Sequence, residues 1–223
     1  MSTNPIPTIS LAVNEFNPGE LYFLLRDSVI PRPIAWVSTV NKEGVSNIAP
    51  FSFFNVCCPS PPVLGFSCGP RGDNHNDSNY QPKDTLLNIK ETGEFVVNLS
   101  PEGLIGEMVD SSAGLPHGQS EFAYTHMEEV PSTRVRPPRV ALTPVAFECK
   151  LRDIIDLGSN AWIMGDVVHI HIAQKLYVGE REGKRHRVDL MKDPALRPVG
   201  RLGRAHYVRL NEVETRLRRD GPN

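Results

Sequence analysis

A proline makes one stretch of this 223-residue chain, Asn47-Ile-Ala-Pro-Phe-Ser-Phe-Phe-Asn55, unusual for a strand. Proline donates no backbone hydrogen bond, so a strand carrying Pro50 must bulge there or lie at the edge of its sheet. Either solution leaves backbone groups free beside Pro50, and Ser52 and Asn55 add side-chain hydrogen bonds. Such a segment can read the edge of a flat heterocycle. It can equally be a bulged edge strand with a polar outer face.

The remaining sequence repeats a pattern of short strands and turns. Ile34–Val40 and Val45–Phe51 flank Asn41-Lys-Glu-Gly44, a hairpin loop in which Gly44 is free to adopt positive φ. Pro62–Cys68, Glu94–Leu99, Val145–Ile155, Ala161–Ala173 and His206–Leu210 also read as strands, with Trp36 and Trp162 as core residues. Three short helices are expected. One follows Asn17 and Pro18 as cap and first turn and is ended by Pro31 and Pro33. A second, Asp84–Glu91, is capped by Asp84 and stopped by Gly93, and a third lies within Pro101–Ser112. The stretch Gly69–Pro82 is polar and rich in turn formers, which predicts an exposed loop. Helices this few and scattered do not make βαβ units. The chain is therefore expected to be mainly β, a β-barrel with a few short helices, in a single domain spanning 1–223 with its core at about 21–210 and a charged tail over 211–223.

Composition narrows the function classes. Apolar residues make up 39% of the chain, and no stretch approaches the roughly 20 apolar residues that span a bilayer. The start lacks a charged region followed by an apolar one, so a cytoplasmic protein with no membrane partner is expected. In that setting the acceptor patterns Asn76-Asp-Ser78 and Asn98-Leu-Ser100 carry no meaning. The four cysteines, Cys57, Cys58, Cys68 and Cys149, form no C-x-x-C pair and read as reduced, mostly buried thiols. Net charge is −2, yet residues 175–223 hold 13 Lys+Arg against 7 Asp+Glu. No aromatic residues interleave with those arginines, so a solvated tail is expected and no nucleic-acid partner.

Several chemistries are excluded by missing motifs. There is no G-x-G-x-x-G after a strand, no G-x-x-x-x-G-K-[ST] and no G-x-S-x-G. Lys83-Asp84-Thr85 at a helix start fits an anion site, where free N–H groups, the helix dipole, a lysine and a hydroxyl converge; it also fits an ordinary Asp-capped helix. His169-Ile-His171 puts two imidazoles on one strand face. Two ligands make no site, and with no carboxylate or third histidine at a telling spacing, exposed strand histidines and no metal are expected.

Taken in order, Arg32-Pro-Ile-Ala-Trp-Val-Ser-Thr39, Asn47–Asn55, Pro61-Pro62-Val63, Lys83-Asp-Thr85 with Asn88-Ile89, Glu94-Phe-Val-Val-Asn98 and Arg201-Leu-Gly-Arg-Ala-His-Tyr207 closely resemble the flavin reductase-like family of FMN-binding split barrels, which includes the flavoredoxins. The resemblance runs from about Leu21 to Leu210. It implies a six-stranded antiparallel split β-barrel of Greek-key topology, a homodimer with one FMN at each subunit interface. It further implies that Arg32, Pro33, Thr39, Asn47, Ala49, Pro50, Phe51, Ser52 and Asn55 hold the ring and ribityl chain. Ser67, Lys83, Asp84, Thr85 and Asn88 would hold the phosphate side, and His206 and Tyr207 would reach the flavin from the partner subunit.

The activity so implied is transfer of a hydride from NADH or NADPH to flavin N5, with electrons passing on to a flavin, oxygen or another small acceptor. The cofactor carries that chemistry, so no protein nucleophile or acid–base dyad is required. A non-enzymatic FMN carrier or electron-transfer protein, or a barrel for another ligand, are the alternatives. The loop at 69–82 is either a lid over the acceptor site or surface decoration.

Overall fold

The computed structural model describes residues 6–72, 81–179 and 186–216. The motif at Asn76–Ser78, most of the predicted loop between Gly69 and Pro82, and the end of the charged tail lie outside them. Local sequence accounts for most elements. Helix α1 (Pro18–Ser28) starts with a reciprocal cap, in which the Glu20 N–H donates to Asn17 Oδ1 and the Asn17 N–H donates to Glu20 Oε2. Strands β1 (Ala35–Val40) and β2 (Ser46–Phe51) pair through the predicted hairpin, with Gly44 at φ +86°. Strand β4 (Pro62–Cys68), helix α2 (Asp84–Thr92), strand β5 (Glu94–Leu99), and the long strands β8 (Val145–Asp156) and β9 (Ala161–Ile172) match the sequence reading closely. Helix α3 (Ile105–Asp110) follows a short 3-10 turn, and strands β10 (Gly200–Arg201) and β11 (Tyr207–Val208) pair near the end.

Other elements differ from the reading. Phe54–Pro59 forms its own strand, β3, paired with β4 and bulged between Val56 and Cys58. Its mixed run of Asn, Cys and Pro had concealed it, and it raises the sheet from the six strands expected to seven. Helix α4 (Glu121–Thr125) and the two-residue strands β6 (Glu129–Val130) and β7 (Arg139–Val140) are too short to leave a periodic signal.

The seven strands run β2-β1-β5-β8-β9-β4-β3, antiparallel throughout. The sheet curls into a barrel: Phe51 of β2 and Phe66 of β4, far apart in strand order, bring their rings to 4.9 Å. Leu86 and Ile89 of α2 join the enclosed core with Val37, Phe95 and Ile163. Gly165 of β9 is demanded by this packing, because a Cβ there would meet the Phe95 ring at 2.3 Å. A second cluster, around Trp36, Ile48, Met108 and Phe122, seals the outer face of β1 and β2 beneath α3 and α4. Covered on both faces, β1 is buried at every residue and shows no alternation. No helix among the described residues is long and apolar enough to cross a membrane.

Candidate functional site

Strand β2 is the last in the sheet order, so its outer edge has no strand neighbour. Its pairing with β1 is regular from Ala35–Phe51 to Val40–Ser46, which rules out a bulge at Pro50 and leaves the edge solution. The Ile48 N–H leaves the ladder to donate to Glu121 Oε2 at 3.2 Å. Alternation puts the Pro50 nitrogen on that same outer edge, where its missing proton costs no ladder bond.

Three adjoining cavities line this edge. The first, about 230 Å³, is bounded by Asn47, Ala49, Arg71, Lys83, Thr85 and Glu121, with Asp84 also at its wall. The second, about 180 Å³, is bounded by Tyr22, Pro50, Phe51, Ser52, Ser67 and Lys83. The third, about 170 Å³, is bounded by Tyr22, Arg32, Pro50, Ser52, Arg201 and Tyr207. Lys83 is shared by the first two, and Pro50 and Ser52 by the last two. The largest cavity, about 580 Å³, lies beyond the β1–β2 turn; it is rimmed by Lys42, Glu43, Lys90 and Glu91, and touches this cleft only through Asn47 and Asp84. Its rim sets two exposed lysines against two exposed glutamates.

The start of α2 meets the cleft. Lys83 is its N-cap and makes no side-chain cap bond. The N–H groups of Asp84 and Thr85, in the first helical turn, find no acceptor among the described residues. The Lys83 ammonium stands 5.7 Å from the centroid of the Phe51 ring. Ser67 accepts from Asn160 Nδ2 at 2.8 Å at the same wall. The second cavity thus holds one cation, three hydroxyl-bearing residues and, among the described residues, no carboxylate. A phosphate needs these groups, and the neighbouring helix dipole adds to them.

Asp84 does not cap α2 as expected. It is the first helical residue, and its carboxylate turns to His117 and to Arg71 Nη2 at 3.4 Å. Arg71 in turn anchors the base of the polar loop, where its N–H donates to Gln81 O at 2.7 Å beside a Pro70–Pro82 bridge. The loop therefore leaves and re-enters the fold at one point beside the cleft.

Behind the cleft lies a buried polar network. Asn47 Oδ1 accepts from Thr85 Oγ1 at 3.0 Å and from Thr39 Oγ1 at 3.1 Å, and Asn88 Nδ2 donates to Thr39 Oγ1 at 3.0 Å. Asn47 Nδ2 donates to Glu121 Oε2 at 2.7 Å. Four residues singled out in the sequence thus serve one another, with Thr39 and Asn88 in the second row and lining none of the three cavities. Glu121, which closes the network, went unseen in the sequence because it sits in a five-residue helix within a Gly/Pro/Ser loop. Burial raises its carboxyl pKa, against the N–H groups that favour the charged form.

The remaining candidates fall in three places. The buried Arg32 guanidinium donates to Ser52 Oγ at 3.3 Å and to the carbonyls of Val29 at 2.7 Å, Leu202 at 2.9 Å and Arg26. It ties the end of α1 to the β10–β11 turn and spends most of its donors doing so. Tyr207 reaches the cleft within the same chain, under the Arg201 guanidinium. Pro33 borders a separate apolar cavity, Asn55 is exposed on β3 with its Oδ1 accepting from the Val56 N–H, and the His206 side chain is exposed. The two buried cysteines are held as thiols. Burial pushes the Cys68 thiol up to about 12 and raises Cys149 as well, so both stay protonated at neutral pH. Cys57, expected to pack, is exposed, and Cys58 is half-buried.

Comparison with known proteins identifies the family. The flavin reductase like domain covers residues 26–182. An uncharacterized protein of Halalkalibacterium halodurans is 38% identical over 210 residues, covering 89% of this chain and 93% of that one. Among solved structures, nitrilotriacetate monooxygenase component B from Bacillus cereus superposes with a TM-score of 0.82 at 32% identity, covering 95% of this chain and all of its own. The Pseudomonas fluorescens 2-nitrobenzoate 2-nitroreductase NbaA follows at 0.80 and 31%, covering 96% and 99%. Fold and sequence agree: the chain belongs to the flavin reductase-like family, the split-barrel flavoproteins.

Proposed function

We propose that the chain binds FMN along the outer edge of β2 and acts as an NAD(P)H-dependent oxidoreductase. The observation that carries this reading is Lys83, poised between two cavities at the start of α2 beside Ser67 and N–H groups that have no acceptor among the described residues. The donor set fits a phosphate there. Ala49, Pro50, Phe51 and Ser52 form the wall next to it, with an outward carbonyl at Pro50 and no competing donor. FMN, when bound, supplies acceptance of a hydride from NADH or NADPH and its passage as electrons to a small acceptor.

The chain's own contribution is binding and orientation. Lys83 and the α2 terminus neutralise the phosphate, while Asn47, fixed by Glu121 and Thr85, holds β2 and α2 in register. Thr39 and Asn88 support that register from behind. Tyr22, Tyr207 and Arg32 close the far end. The cleft opens to solvent, which suits a small acceptor such as free flavin, oxygen or, by likeness to the 2-nitrobenzoate 2-nitroreductase, a nitroaromatic. The working unit is a homodimer; exposed apolar side chains such as Val56 on β3, Ile170 on β9 and Leu25 on α1 supply surface for it.

Steady-state oxidation of NADH and NADPH by the FMN-loaded chain tests the reading. Turnover with at least one of them, with free flavin, oxygen or a nitroaromatic as acceptor, is the expected result. Tight FMN binding with no turnover across all of these acceptors would instead make the chain an electron carrier.

A further inference from the structure

Away from the cleft, strand pairing assembles a group that the sequence does not reveal. β8 and β9 pair with Glu148 directly opposite His169 and with Ala146 opposite His171. Period-two alternation puts both imidazoles on the face that Glu148 occupies, opposite the core-facing Phe147 and Cys149. A register shift immediately after Glu148 kinks the strand there. The result is one carboxylate oxygen and two imidazole nitrogens within 4.8 Å of one another. The carboxylate missing from the local sequence is thus supplied by a strand more than twenty residues upstream. The histidines are half-buried rather than exposed, with their ring centroids 4.7 Å apart.

We infer that Glu148, His169 and His171 form a binding site for a divalent transition-metal ion of the zinc type. Glu148 is wholly buried, and a buried carboxylate must be compensated. Burial alone would raise its pKa; the His171 imidazole and the N–H groups of Thr133 and Arg134 outweigh that and hold it below the ordinary range. Those N–H groups donate at 2.7 and 2.6 Å, one to each oxygen, which fixes the plane of the carboxylate. Second-row bonds of this kind orient a metal ligand before the ion arrives. Glu148 Oε1 stands 2.5 Å from His171 Nε2, so the pair must open slightly before one metal ion can take both. His171 keeps a fifth of its side chain exposed, so an ion has a way in. Two imidazoles and one carboxylate make up the ligand set of zinc and its neighbours. The site lies three strands from β2 in sheet order and is independent of the flavin reading.

Calorimetric titration of the untagged full chain with zinc at neutral pH tests the inference. One ion per chain is expected, with affinity falling about tenfold or more in His169→Asn. His169 makes no hydrogen bond among the described residues, so this variant should keep its melting temperature without metal, while zinc should raise the melting temperature of the wild type only. Because Cys57 is an exposed thiol and Cys58 a half-buried one, a Cys57→Ser/Cys58→Ser variant must retain the ion. The inference is overturned if the wild type takes up no zinc, if His169→Asn binds it as the wild type does, or if binding disappears only in the cysteine variant.

Discussion

Glu121 holds Asn47 from the outer side of β2, accepting from its amide Nδ2 at 2.7 Å while also taking the Ile48 N–H. Through the Asn47 carbonyl the same network reaches Thr85 and hence the first turn of α2. A carboxylate on a five-residue helix therefore fixes the relation between the two elements that frame the cleft. Glu121→Ala should leave the Asn47 amide and the Ile48 N–H without an acceptor and cost about 2–3 kcal/mol in urea unfolding. Glu121→Gln keeps a carbonyl acceptor and should cost far less.

The pH dependence separates these cases further. Burial raises the Glu121 pKa in the folded state, so its favourable contribution is complete below its ordinary value of 4.5 and declines as pH rises through the raised value. Glu121→Gln removes that decline. Its stability relative to the wild type should therefore improve from acid to neutral pH. Parallel stability–pH curves for the two proteins would contradict the assignment.

Lys83→Ala should weaken FMN binding with little change in melting temperature, because the ammonium makes no ion pair among the described residues. Adding Thr85→Ala removes the hydroxyl that holds Asn47 and should bring the loss of FMN affinity to about 2–4 kcal/mol. Fluorescence titration at two salt concentrations reads the charge term directly. Unchanged affinity in the double variant would place the phosphate elsewhere.

Pro50→Val probes the edge itself. The nitrogen of Pro50 points out of the ladder, so valine should fit with a stability change within about 0.5 kcal/mol. It adds a donor where the cleft wall now offers only an acceptor, and FMN affinity and the flavin absorbance spectrum should both change. An identical spectrum and affinity would mean that the ring does not meet this edge.

Gly165→Ala addresses the barrel. A methyl group there must displace the Phe95 ring, which is wholly buried, and overpacking of this kind costs about 1–3 kcal/mol. A lowered urea midpoint at unchanged slope is expected; an unchanged midpoint would mean that Phe95 has another rotamer available.

The strands were legible where hydrophobic runs met clear turns, as at Asn41–Gly44 and Gly93. They were illegible where pairing overrides composition. β3 contains Asn55, two cysteines and Pro59, and only its partner β4 makes it a strand. Within the site, Lys83, Ser52 and Pro50 announced themselves by type and position. Thr39 and Asn88 carried the same signal, yet the structure puts them in the supporting row. Glu121 and Glu148 lay hidden because each acts on residues far along the chain: Asn47 lies 74 residues away and His171 lies 23. No spacing rule reaches across a barrel.

The central claim is that the β2 edge is an FMN site. Titration of the purified chain with FMN, followed by absorbance and by retention through gel filtration, tests it most directly. One FMN per chain should be taken up, and the Lys83→Ala/Thr85→Ala variant should lose it. A chain that takes up no FMN, or a variant that binds it as tightly as the wild type, would contradict the claim.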